Sequence, residues 1–480
     1  MARLLSHHVP LATLAEVIAD ICLTLFALPL AARQLSSHPF AQQLGGDVGI
    51  ASLLSALRVS RLLQPMAILA LGMALIYAFA GLYRIGAINV SPRTKLGRAF
   101  FAVVVGCAIL YGLLKAMGDD GFALQLSIRV LPYLALAVFV VRGSVYIGRR
   151  VSFVLPRVLI VGTGVEALKV AEDLLRGEGR SRGTVVGFYA PGEDANPVNG
   201  LRLPVFSRER PLKEIVAEHG VTEVIVAVRE QRGGAMPMDE LLACRISGVP
   251  VIDLAGFSER SRREVPIDSL KASWLIYGEG FVQGPLRSAI KRIFDVLSSA
   301  LLLVLAMPVM AITSLAIWVE GGGPLIYRQE RVGLGGRIIV CPKFRSMRND
   351  AERDGVARWA TKNDSRVTRV GSFIRRTRID ELPQLFTVLR GEMSLVGPRP
   401  ERPSFVEELC QKIPYYDLRH SVKPGVTGWA QVRYAYGASV EDARRKHQFD
   451  LYYIKHHSLL LDLLVLVETV SVVLFREGGQ

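Results

Sequence analysis

The chain has 480 residues, 50% of them hydrophobic, and its formal net charge at pH 7 is +15. This combination is typical of an integral membrane protein with basic parts facing the cytoplasm, and no nucleic-acid-binding motif occurs, so we expect no nucleic acid as a partner. Its five cysteines are scattered without a Cys-x-x-Cys pair, which argues for free thiols and against a structural metal.

Four apolar stretches near the start of the chain are each about long enough to cross a bilayer as a helix. They are Leu11–Ala32, Pro65–Tyr83, Leu96–Met117 and Phe122–Val141. Basic residues follow the second and fourth stretches, whereas Asp119 and Asp120 lie between the third and fourth. The positive-inside rule therefore predicts a four-helix transmembrane region over residues 1–150 with both ends in the cytoplasm.

Two carboxylates lie within the first apolar stretch. Glu16 and Asp20 are four residues apart and share one helix face. Intramembrane carboxylates are functional candidates in general, but no proton pathway is suggested by the residues around this pair. We therefore predict a structural role, in which both lie near the membrane interface or bond to neighbouring helices.

Residues 151–280 have the pattern of a doubly wound α/β domain. A strand and a glycine-rich turn begin at Arg157, an amphipathic helix follows, and three further apolar strands come later. Gly162, Gly164 and Ala167 match the G-x-G-x-x-A fingerprint of dinucleotide sites. The acidic residue expected after the second strand is replaced by Tyr189 and Ala190. The pattern predicts a Rossmann-like fold and leaves nucleotide binding open.

An apolar run from Ser288 to Glu320 is interrupted by Met307 and Pro308. A proline inside a helix removes a backbone hydrogen bond and kinks the chain. A full crossing of the membrane would place the basic residues that follow outside the cell. We therefore predict a kinked helix that enters the membrane and returns, with a kinked full span as the alternative.

Positive charge is concentrated after this run, since Gly323 to Arg378 contains fourteen Lys or Arg but only five Asp or Glu. Asp380 and Glu381 follow directly, at the start of a predicted helix over Leu382–Leu389. Pro383 fits only the first turn of a helix, so both carboxylates should lie at the positive end of the helix dipole. Such a site can hold a phosphate beside an ionised Asp380 that acts as a nucleophile. The alternative is a solvated helix cap within a salt-bridge cluster.

The blocks around this pair resemble one known family. They read KRIFDVLSSALLLVLAMPVM, GPLIYRQERVGLGGR, KFRSM, TKNDSRVTRVGSFIRRTRIDELPQL, MSLVGPRPE and KPGVTGWAQV. Over roughly Lys291–Phe475 the chain is similar to the bacterial polyprenyl-phosphate glycosyl-1-phosphate transferases, membrane enzymes that start exopolysaccharide and O-antigen assembly. Members with the long form carry four N-terminal helices and a Rossmann-like domain, as predicted here.

The resemblance implies an architecture for the whole chain: an α-helical membrane bundle, a Rossmann-like regulatory or oligomerisation domain over residues 151–280, and a membrane-associated mixed α/β catalytic domain over residues 281–480. It also implies a re-entrant helix, a homodimer, and a place in the bacterial inner membrane with the catalytic domain on the cytoplasmic face. The final apolar segment, Leu459–Phe475, is short for a span, and we predict an amphipathic helix lying on the membrane.

The reaction that the resemblance implies transfers a hexose-1-phosphate from a UDP-sugar to undecaprenyl phosphate and releases UMP. Asp380 would form a covalent intermediate, and because phosphates must approach a carboxylate we expect Mg²⁺ held by Asp380 or Glu381. The residues expected to bind substrate are Lys343, Arg345, Arg376, Arg399 and Gln431. Gln431 lies in GVTGWAQV, whose Trp429 either stacks on the uracil base or packs a structural turn.

Two other functions are compatible with parts of the pattern. A membrane scaffold whose Rossmann-like domain senses a nucleotide would explain the middle domain but not the carboxylates among arginines. A membrane nucleotide-sugar dehydratase would share the four helices and the Rossmann turn. That enzyme needs a Tyr-x-x-x-Lys pair for hydride chemistry, and none occurs in residues 151–480. The sequence does not identify the sugar, for which glucose or galactose is reasonable and an N-acetylated sugar stays open.

Overall fold

The computed structural model falls into two compact units, Met1–Val154 and Leu155–Gln480. Each unit is described by itself. Within the chain, the structure describes residues 11–35, 60–83, 92–116, 120–150, 155–176, 183–191, 202–228, 236–267, 280–281, 284–348, 366–434, 437 and 439–475.

The first unit contains four long helices, α1 (Leu11–Arg33), α2 (Ser60–Phe79), α3 (Pro92–Lys115) and α4 (Asp120–Arg150). They match the four predicted stretches. Three of them carry segments long and apolar enough to span a membrane, and α2 contributes the shorter apolar segment Ala67–Phe79 among the described residues. Large side chains such as Phe100 and Phe139 point outward, although the interior is apolar as well. Helices that are apolar on both faces indicate a bundle surrounded by lipid.

The two carboxylates of α1 are paired inside this bundle. Arg142 of α4 donates to Glu16 at 2.5 Å and to Asp20 at 2.7 Å, and the Tyr83 hydroxyl donates to Asp20 at 2.7 Å. A carboxylate held away from water needs such charge-assisted partners. The predicted bonding of Glu16 and Asp20 to a neighbouring helix is confirmed.

The second unit begins with an α/β part whose five strands form one parallel sheet in the order β3-β2-β1-β4-β5. This order confirms the doubly wound fold, because the sheet grows outward in both directions from β1. Its elements in chain order are β1 (Arg157–Val161), α5 (Val165–Arg176), β2 (Thr184–Tyr189), β3 (Val205–Phe206), α6 (Leu212–Glu218), β4 (Glu223–Val226), α7 (Met238–Ile246), β5 (Val251–Asp253) and α8 (Leu254–Ser261).

The glycine-rich turn after β1 has a packing reason of its own. Gly162 has φ +124°, and a Cβ there would lie 2.9 Å from the carbonyl oxygen of Ala227, just beyond β4. Only glycine permits both this conformation and this close approach. Gly162 therefore does not by itself indicate a nucleotide, and nucleotide binding by this part stays a prediction.

The remainder of the second unit carries the candidate site. Its elements are α9 (Pro285–Gly321), β6 (Ile326–Val332), β7 (Ile338–Phe344), α10 (Arg369–Arg376), α11 (Gln384–Arg390), β8 (Ser394–Val396), α12 (Pro403–Lys412), β9 (Gly425–Thr427), α13 (Trp429–Arg433), α14 (Val440–His456) and α15 (Leu459–Phe475), with 3-10 turns at Ile379–Glu381 and Tyr416–Ser421. Strands β6 and β7 form an antiparallel hairpin, and β8 pairs with β9 in parallel.

Helix α9 is assigned as one helix of 37 residues with Pro308 inside it. Its buried residues recur at helical spacing, beginning at Asp295, Ser299 and Leu303 and ending at Thr313 and Ile317. One face of α9 therefore packs on the protein, while the other faces expose apolar side chains. The bend at Pro308 and the re-entrant course of the helix stay predictions.

The core of this region also receives the segment that follows α8. Val265 and Ile267 are buried in the same cluster as Trp429 and Tyr452. The Trp429 indole donates to the Arg263 carbonyl at 3.1 Å, and its ring lies 5.8 Å from the ring of Tyr452. Because the side chain is only 1% exposed, Trp429 packs a structural turn. Stacking of Trp429 on a base, one of the two interpretations of the sequence, does not fit this burial.

Candidate active site

The parallel pairing of β8 with β9 brings two separate loops to one place. Ser394 pairs with Gly425 and Val396 with Thr427, so both strands end at the same edge. The loop after β8 carries Arg399, and the residues after β9 carry Gln431. As a result, the Arg399 guanidinium lies 3.5 Å from the Gln431 side-chain oxygen. The structure thus brings together two of the residues predicted to bind substrate.

Asp380 and Glu381 lie in a short 3-10 turn immediately before Pro383 and helix α11. Arg378, which precedes the turn, has the left-handed conformation with φ 59°, and this reverses the chain after α10. Both carboxylates are buried, with exposed fractions of 8% for Asp380 and 6% for Glu381. The prediction that they precede a helix started by Pro383 is confirmed, whereas a solvated cap is not compatible with this burial.

The cations of the site converge on Glu381. Its Oε1 atom accepts from Lys343 Nζ at 2.7 Å and from Arg399 Nη2 at 3.0 Å, and Arg378 Nη1 lies 3.9 Å away. Lys343 reaches the turn from β7, and Arg399 reaches it from the loop after β8. Two elements distant in sequence, β7 and the loop after β8, therefore hold one buried carboxylate, which fixes the position of the turn.

The two carboxyl groups are perturbed in opposite directions. Burial raises the pKa of Asp380, and the adjacent Glu381 carboxylate raises it further. Burial also favours a higher pKa for Glu381, but Lys343 and Arg399 together hold that pKa well below the usual range. The sequence predicts that the arginines keep Asp380 ionised. Instead, Glu381 takes their strongest contacts, because its Oε1 lies between Lys343 and Arg399.

The carboxylates fit a divalent cation that is shared with a substrate. Asp380 Oδ1 is buried and has no hydrogen-bond partner within the described part of the chain. Among the described residues no group of three or more His, Cys, Asp or Glu could hold a metal. Magnesium commonly takes only one or two carboxylates from the protein and completes its shell with phosphate oxygens and water. The unpartnered oxygen of Asp380 suits that arrangement.

Two residues predicted to bind substrate lie elsewhere. Arg345 donates to the Gly322 carbonyl at 2.7 Å, at the end of α9. Strand β7 ends at Phe344, so strand alternation does not keep Arg345 on the same side as Lys343. Arg376 is exposed at the last position of α10 and donates to the Ser372 carbonyl of its own helix. Arg378, not Arg376, approaches Glu381. The sequence did not distinguish Arg378 from the surrounding arginines.

A buried ion pair that the sequence did not reveal holds the backbone of Arg399 in place. Arg419 donates to the Arg399 carbonyl at 2.9 Å and to the Asp450 carboxylate at 3.0 Å. It also contacts the hydroxyl of Tyr416, and its guanidinium lies 4.8 Å from the centre of that ring. Arg419 and Asp450 are 31 residues apart, and no motif or spacing links them. Only the packing of α14 against the Tyr416–Ser421 turn brings them together.

These observations define the class of protein. It has apolar helices suited to a membrane, and its second unit holds a buried pair of carboxylates beside cations from two separate elements. Fixed cations with an available carboxylate oxygen are the parts needed to hold and attack a phosphate. The site is therefore suited to phosphate chemistry next to a membrane.

Comparison with known proteins agrees with this class. The family model for bacterial sugar transferases matches residues 286–476. A UDP-galactose-lipid carrier transferase of Erwinia amylovora is 33% identical over 344 residues, which cover 67% of this chain and 69% of that protein. A Bacillus subtilis protein, provisionally named an undecaprenyl-phosphate N-acetylgalactosaminyl 1-phosphate transferase, is 55% identical over 131 residues, 27% of this chain and 73% of its own length. The chain belongs to the bacterial sugar transferase family.

Other relatives are matched over a smaller share of their length. The UDP-N-acetylgalactosamine-undecaprenyl-phosphate N-acetylgalactosaminephosphotransferase of Aeromonas hydrophila is 43% identical over 240 residues. That match covers 50% of this chain and 56% of the Aeromonas protein. The chain thus spans only about half the length of this relative. The names of these relatives also differ in the sugar, so membership of the family does not identify the sugar.

Proposed function

We propose that the chain transfers a hexose-1-phosphate from a UDP-sugar to undecaprenyl phosphate, releases UMP, and so starts the assembly of an exopolysaccharide or O-antigen. The names of the relatives support the acceptor and the transferred group. The observation that carries the proposal is the buried pair of Asp380 and Glu381, in which Lys343 and Arg399 neutralise Glu381 and leave an oxygen of Asp380 available.

The proposed reaction has two displacements at one phosphorus atom. Asp380 attacks the phosphorus nearest the sugar, a carboxylate oxygen–phosphorus bond forms, and the bond to UMP breaks with its electron pair on UMP. An oxygen of the lipid phosphate then attacks the same phosphorus and displaces the Asp380 carboxylate. The sugar–phosphate bond is kept throughout. The product is a lipid diphosphate sugar, and the enzyme returns to its starting state.

The chain's own residues prepare both steps by placing charge. Lys343 and Arg399 are fixed by Glu381 before substrate arrives, so little reorganisation is needed when a diphosphate approaches. Gln431 lies beside Arg399 and has a buried side-chain nitrogen without a partner in the described residues, available to a substrate oxygen. Mg²⁺, held by Asp380 and the adjacent Glu381, would supply further positive charge against the phosphate oxygens.

The membrane arrangement belongs to the same proposal: an inner-membrane protein with a re-entrant α9 and the site on the cytoplasmic face. Near the start of α9, Arg292 donates to the Val388 and Leu389 carbonyls at 2.6 Å each. Near its end, Ile317 packs against Phe344. Both ends therefore contact the same folded region, which supports a helix that enters and leaves the membrane on one side. A homodimer is part of the proposal on family grounds alone.

The test uses purified protein with Mg²⁺ and UDP-sugars labelled on the β-phosphate, without a lipid acceptor. We expect one equivalent of UMP per protein and label retained on the chain, discharged when undecaprenyl phosphate is added. Asp380→Asn should retain no label and transfer no sugar phosphate, while its insertion into membranes is unchanged. Near-normal turnover by Asp380→Asn would remove Asp380 as the nucleophile, and lipid product without prior labelling would indicate direct transfer in a ternary complex.

A further inference from the structure

The loop that carries Arg399 is bonded to its surroundings at four successive carbonyl groups. We call residues 397–402, between β8 and α12, the Arg399 loop. Each of the four carbonyls accepts a hydrogen bond of 2.9–3.0 Å: Pro398 from the Gly425 amide, Arg399 from Arg419, Pro400 from Arg331 and Glu401 from the Val332 amide. The donors belong to β9, the 3-10 turn Tyr416–Ser421 and β6. The surrounding elements therefore set the path of the loop.

Two prolines stiffen the Arg399 loop further. Pro398 and Pro400 flank Arg399, and each proline ring fixes its own φ and restricts the residue before it. The Arg399 guanidinium reaches Glu381 at 3.0 Å and lies 3.5 Å from the Gln431 side-chain oxygen. A group that holds a flanking proline in place thus also determines where the Arg399 side chain begins.

Arg331 holds one of these prolines from strand β6. Its Nη1 atom donates to the Pro400 carbonyl at 3.0 Å and lies 3.5 Å from the Glu401 carboxylate. Its Nη2 atom donates to the Gln329 side-chain oxygen, and the Arg331 side chain is only 15% exposed. Both terminal nitrogens of the guanidinium are already bonded to the protein. Arg331 is therefore suited to fixing the loop and not to binding a phosphate.

The hairpin of β6 and β7 links the Arg399 loop to the carboxylate turn. Arg331 pairs with Ile339, and residues opposite each other in an antiparallel pair share one face. Cys341 and Lys343 follow Ile339 at alternate positions of β7, so they lie on that same face. Lys343 contacts Glu381 at 2.7 Å. One rigid hairpin thus holds the carboxylate turn through Lys343 and the Arg399 loop through Arg331.

The distance between these two parts matters for the chemistry. Fixed cations stabilise developing charge because they need no rearrangement when the substrate reacts. A misplacement of about 1 Å can lower the rate about 10²-fold, even when the altered residue is far from the reacting atoms. Release of the Pro400 carbonyl would let the Arg399 guanidinium move relative to Asp380 and Glu381.

We propose that Arg331 is a positioning residue of the transfer reaction, which acts through Arg399 by holding the Pro400 carbonyl. The inference rests on the proposed function and adds to it a residue that contacts neither the carboxylate pair nor the substrate. An arginine that acts through Arg399 has no role left once the Arg399 guanidinium is removed. An arginine that only stabilises the fold, or that binds substrate itself, would contribute to the rate with or without Arg399.

A double-mutant cycle separates these possibilities. It comprises the wild type, Arg331→Met, Arg399→Met and the variant with both changes. The matched control is Arg328→Met, made in both backgrounds, since Arg328 is exposed on the opposite face of the same strand. The purified full chain is assayed with Mg²⁺, undecaprenyl phosphate and a labelled UDP-sugar, well below the melting temperature of every variant. The kcat and the KM for the UDP-sugar are measured for each.

We expect Arg331→Met to lower kcat about 10–100-fold in the wild-type background, with the KM for the UDP-sugar unchanged within about threefold. In the Arg399→Met background the same change should alter kcat by less than about twofold. Arg328→Met should match its parent in both backgrounds. Equal losses of kcat in the two backgrounds would overturn the proposal, because Arg331 would then act independently of Arg399. An unchanged kcat, or a larger rise in KM, would also overturn it.

A second variant covers the case in which Arg331→Met does not fold. Arg331→Lys keeps the charge and one donor for the Pro400 carbonyl, so its loss of kcat should be smaller, about three- to tenfold. That loss should again disappear in the Arg399→Met background, and its persistence there would overturn the proposal. A wild type that transfers no sugar phosphate would refute the proposed function itself, a result distinct from all of these.

Discussion

Replacing Glu381 by Gln tests whether the charge arrangement around Asp380 is as important as the structure indicates. The change keeps the size of the side chain and removes its charge. Lys343 at 2.7 Å and Arg399 at 3.0 Å then lose their shared carboxylate. Burial already lowers the pKa of Lys343, and Glu381 opposes that effect. The variant therefore leaves a buried cation without its main compensation.

The structure sets the size of the expected loss. Removing one partner of a buried ion pair costs about 3–5 kcal/mol, and since Gln keeps an acceptor oxygen we expect the lower value, about 3 kcal/mol. For a domain of this size that corresponds to a fall in melting temperature of roughly 6–12 °C. Arg399 and Lys343 would also be less well placed for the diphosphate, so kcat should fall about 10²–10³-fold.

The pH profile gives an independent readout. Burial is the main cause of the raised pKa of Asp380, and the negative charge of Glu381 raises it further. Removing that charge should therefore lower the pKa of Asp380. Asp380 attacks only when ionised, and activity is lost as pH falls through its pKa. The acidic limb of the kcat profile should thus move to lower pH in Glu381→Gln even though kcat is smaller at every pH. A merely structural defect would not move this limb.

The assay measures melting temperature and the pH dependence of transfer for the wild type, Glu381→Gln and the control Glu408→Gln, whose carboxylate is exposed and paired with Lys412 on the surface. The stability of the control should be within about 1 kcal/mol of that of the wild type, since exposed ion pairs contribute little to stability. An unchanged melting temperature together with an acidic limb at the wild-type pH in Glu381→Gln would refute the reasoning.

Two further predictions follow from the same contacts. Arg399→Met should lower kcat about 10²–10³-fold, whereas Arg345→Met, which loses a helix-end hydrogen bond of about 1 kcal/mol, should lower the melting temperature by roughly 2–4 °C and leave kcat within tenfold. Burial raises the pKa of Asp450 from 3.8 to about 6. Its stabilising contribution is complete below pH 3.8 and is lost as pH rises through 6. Between pH 3.8 and pH 6 the free energy of unfolding of the wild type should therefore fall by about 3 kcal/mol. Asp450→Asn should not show this fall.

Each of these has a clear contrary result. Equal losses of kcat in the two arginine variants would mean that Arg345 takes part in substrate binding, as the sequence first indicated. A stability difference between Asp450→Asn and the wild type that is constant from pH 4 to 7 would mean that Asp450 does not titrate in this range. Melting temperatures measured in detergent across that pH range are sufficient for the second test.

Much of the fold could be predicted from the sequence because its signals are local or periodic. The four early helices follow from apolar length, and the parallel sheet follows from strands separated by helices and a glycine turn. Helix α15 has the predicted bounds, Leu459–Phe475. Its buried Asp462 accepts from Lys291 at 2.7 Å and from Tyr453 at 2.7 Å, which the apolar pattern did not reveal. Both contacts depend on packing between separate elements, because Lys291 lies 171 residues from Asp462 and Tyr453 lies nine residues from it.

The candidate site was predictable in its centre and less so around it. Asp380, Glu381 and Pro383 are neighbours in sequence, so their placement follows from helix-start rules. Which of the surrounding arginines approaches the carboxylates depends on the reversal at Arg378, and a left-handed arginine has no sequence signal. A motif that supplies many basic residues therefore identifies the charge of a site better than it identifies the individual ligands.

The division of work between the two carboxylates follows from where the cations lie. Had Lys343 and Arg399 contacted Asp380, they would have tied down both its oxygens and lowered its nucleophilicity. Their contact with Glu381 keeps positive charge beside Asp380 while one of its oxygens has no partner among the described residues. Burial then makes that oxygen poorly solvated, which strengthens its interaction with any cation or phosphorus that approaches. The two carboxylates are thus not equivalent ligands. Asp380 is suited to be the nucleophile, and Glu381 holds the cations beside it.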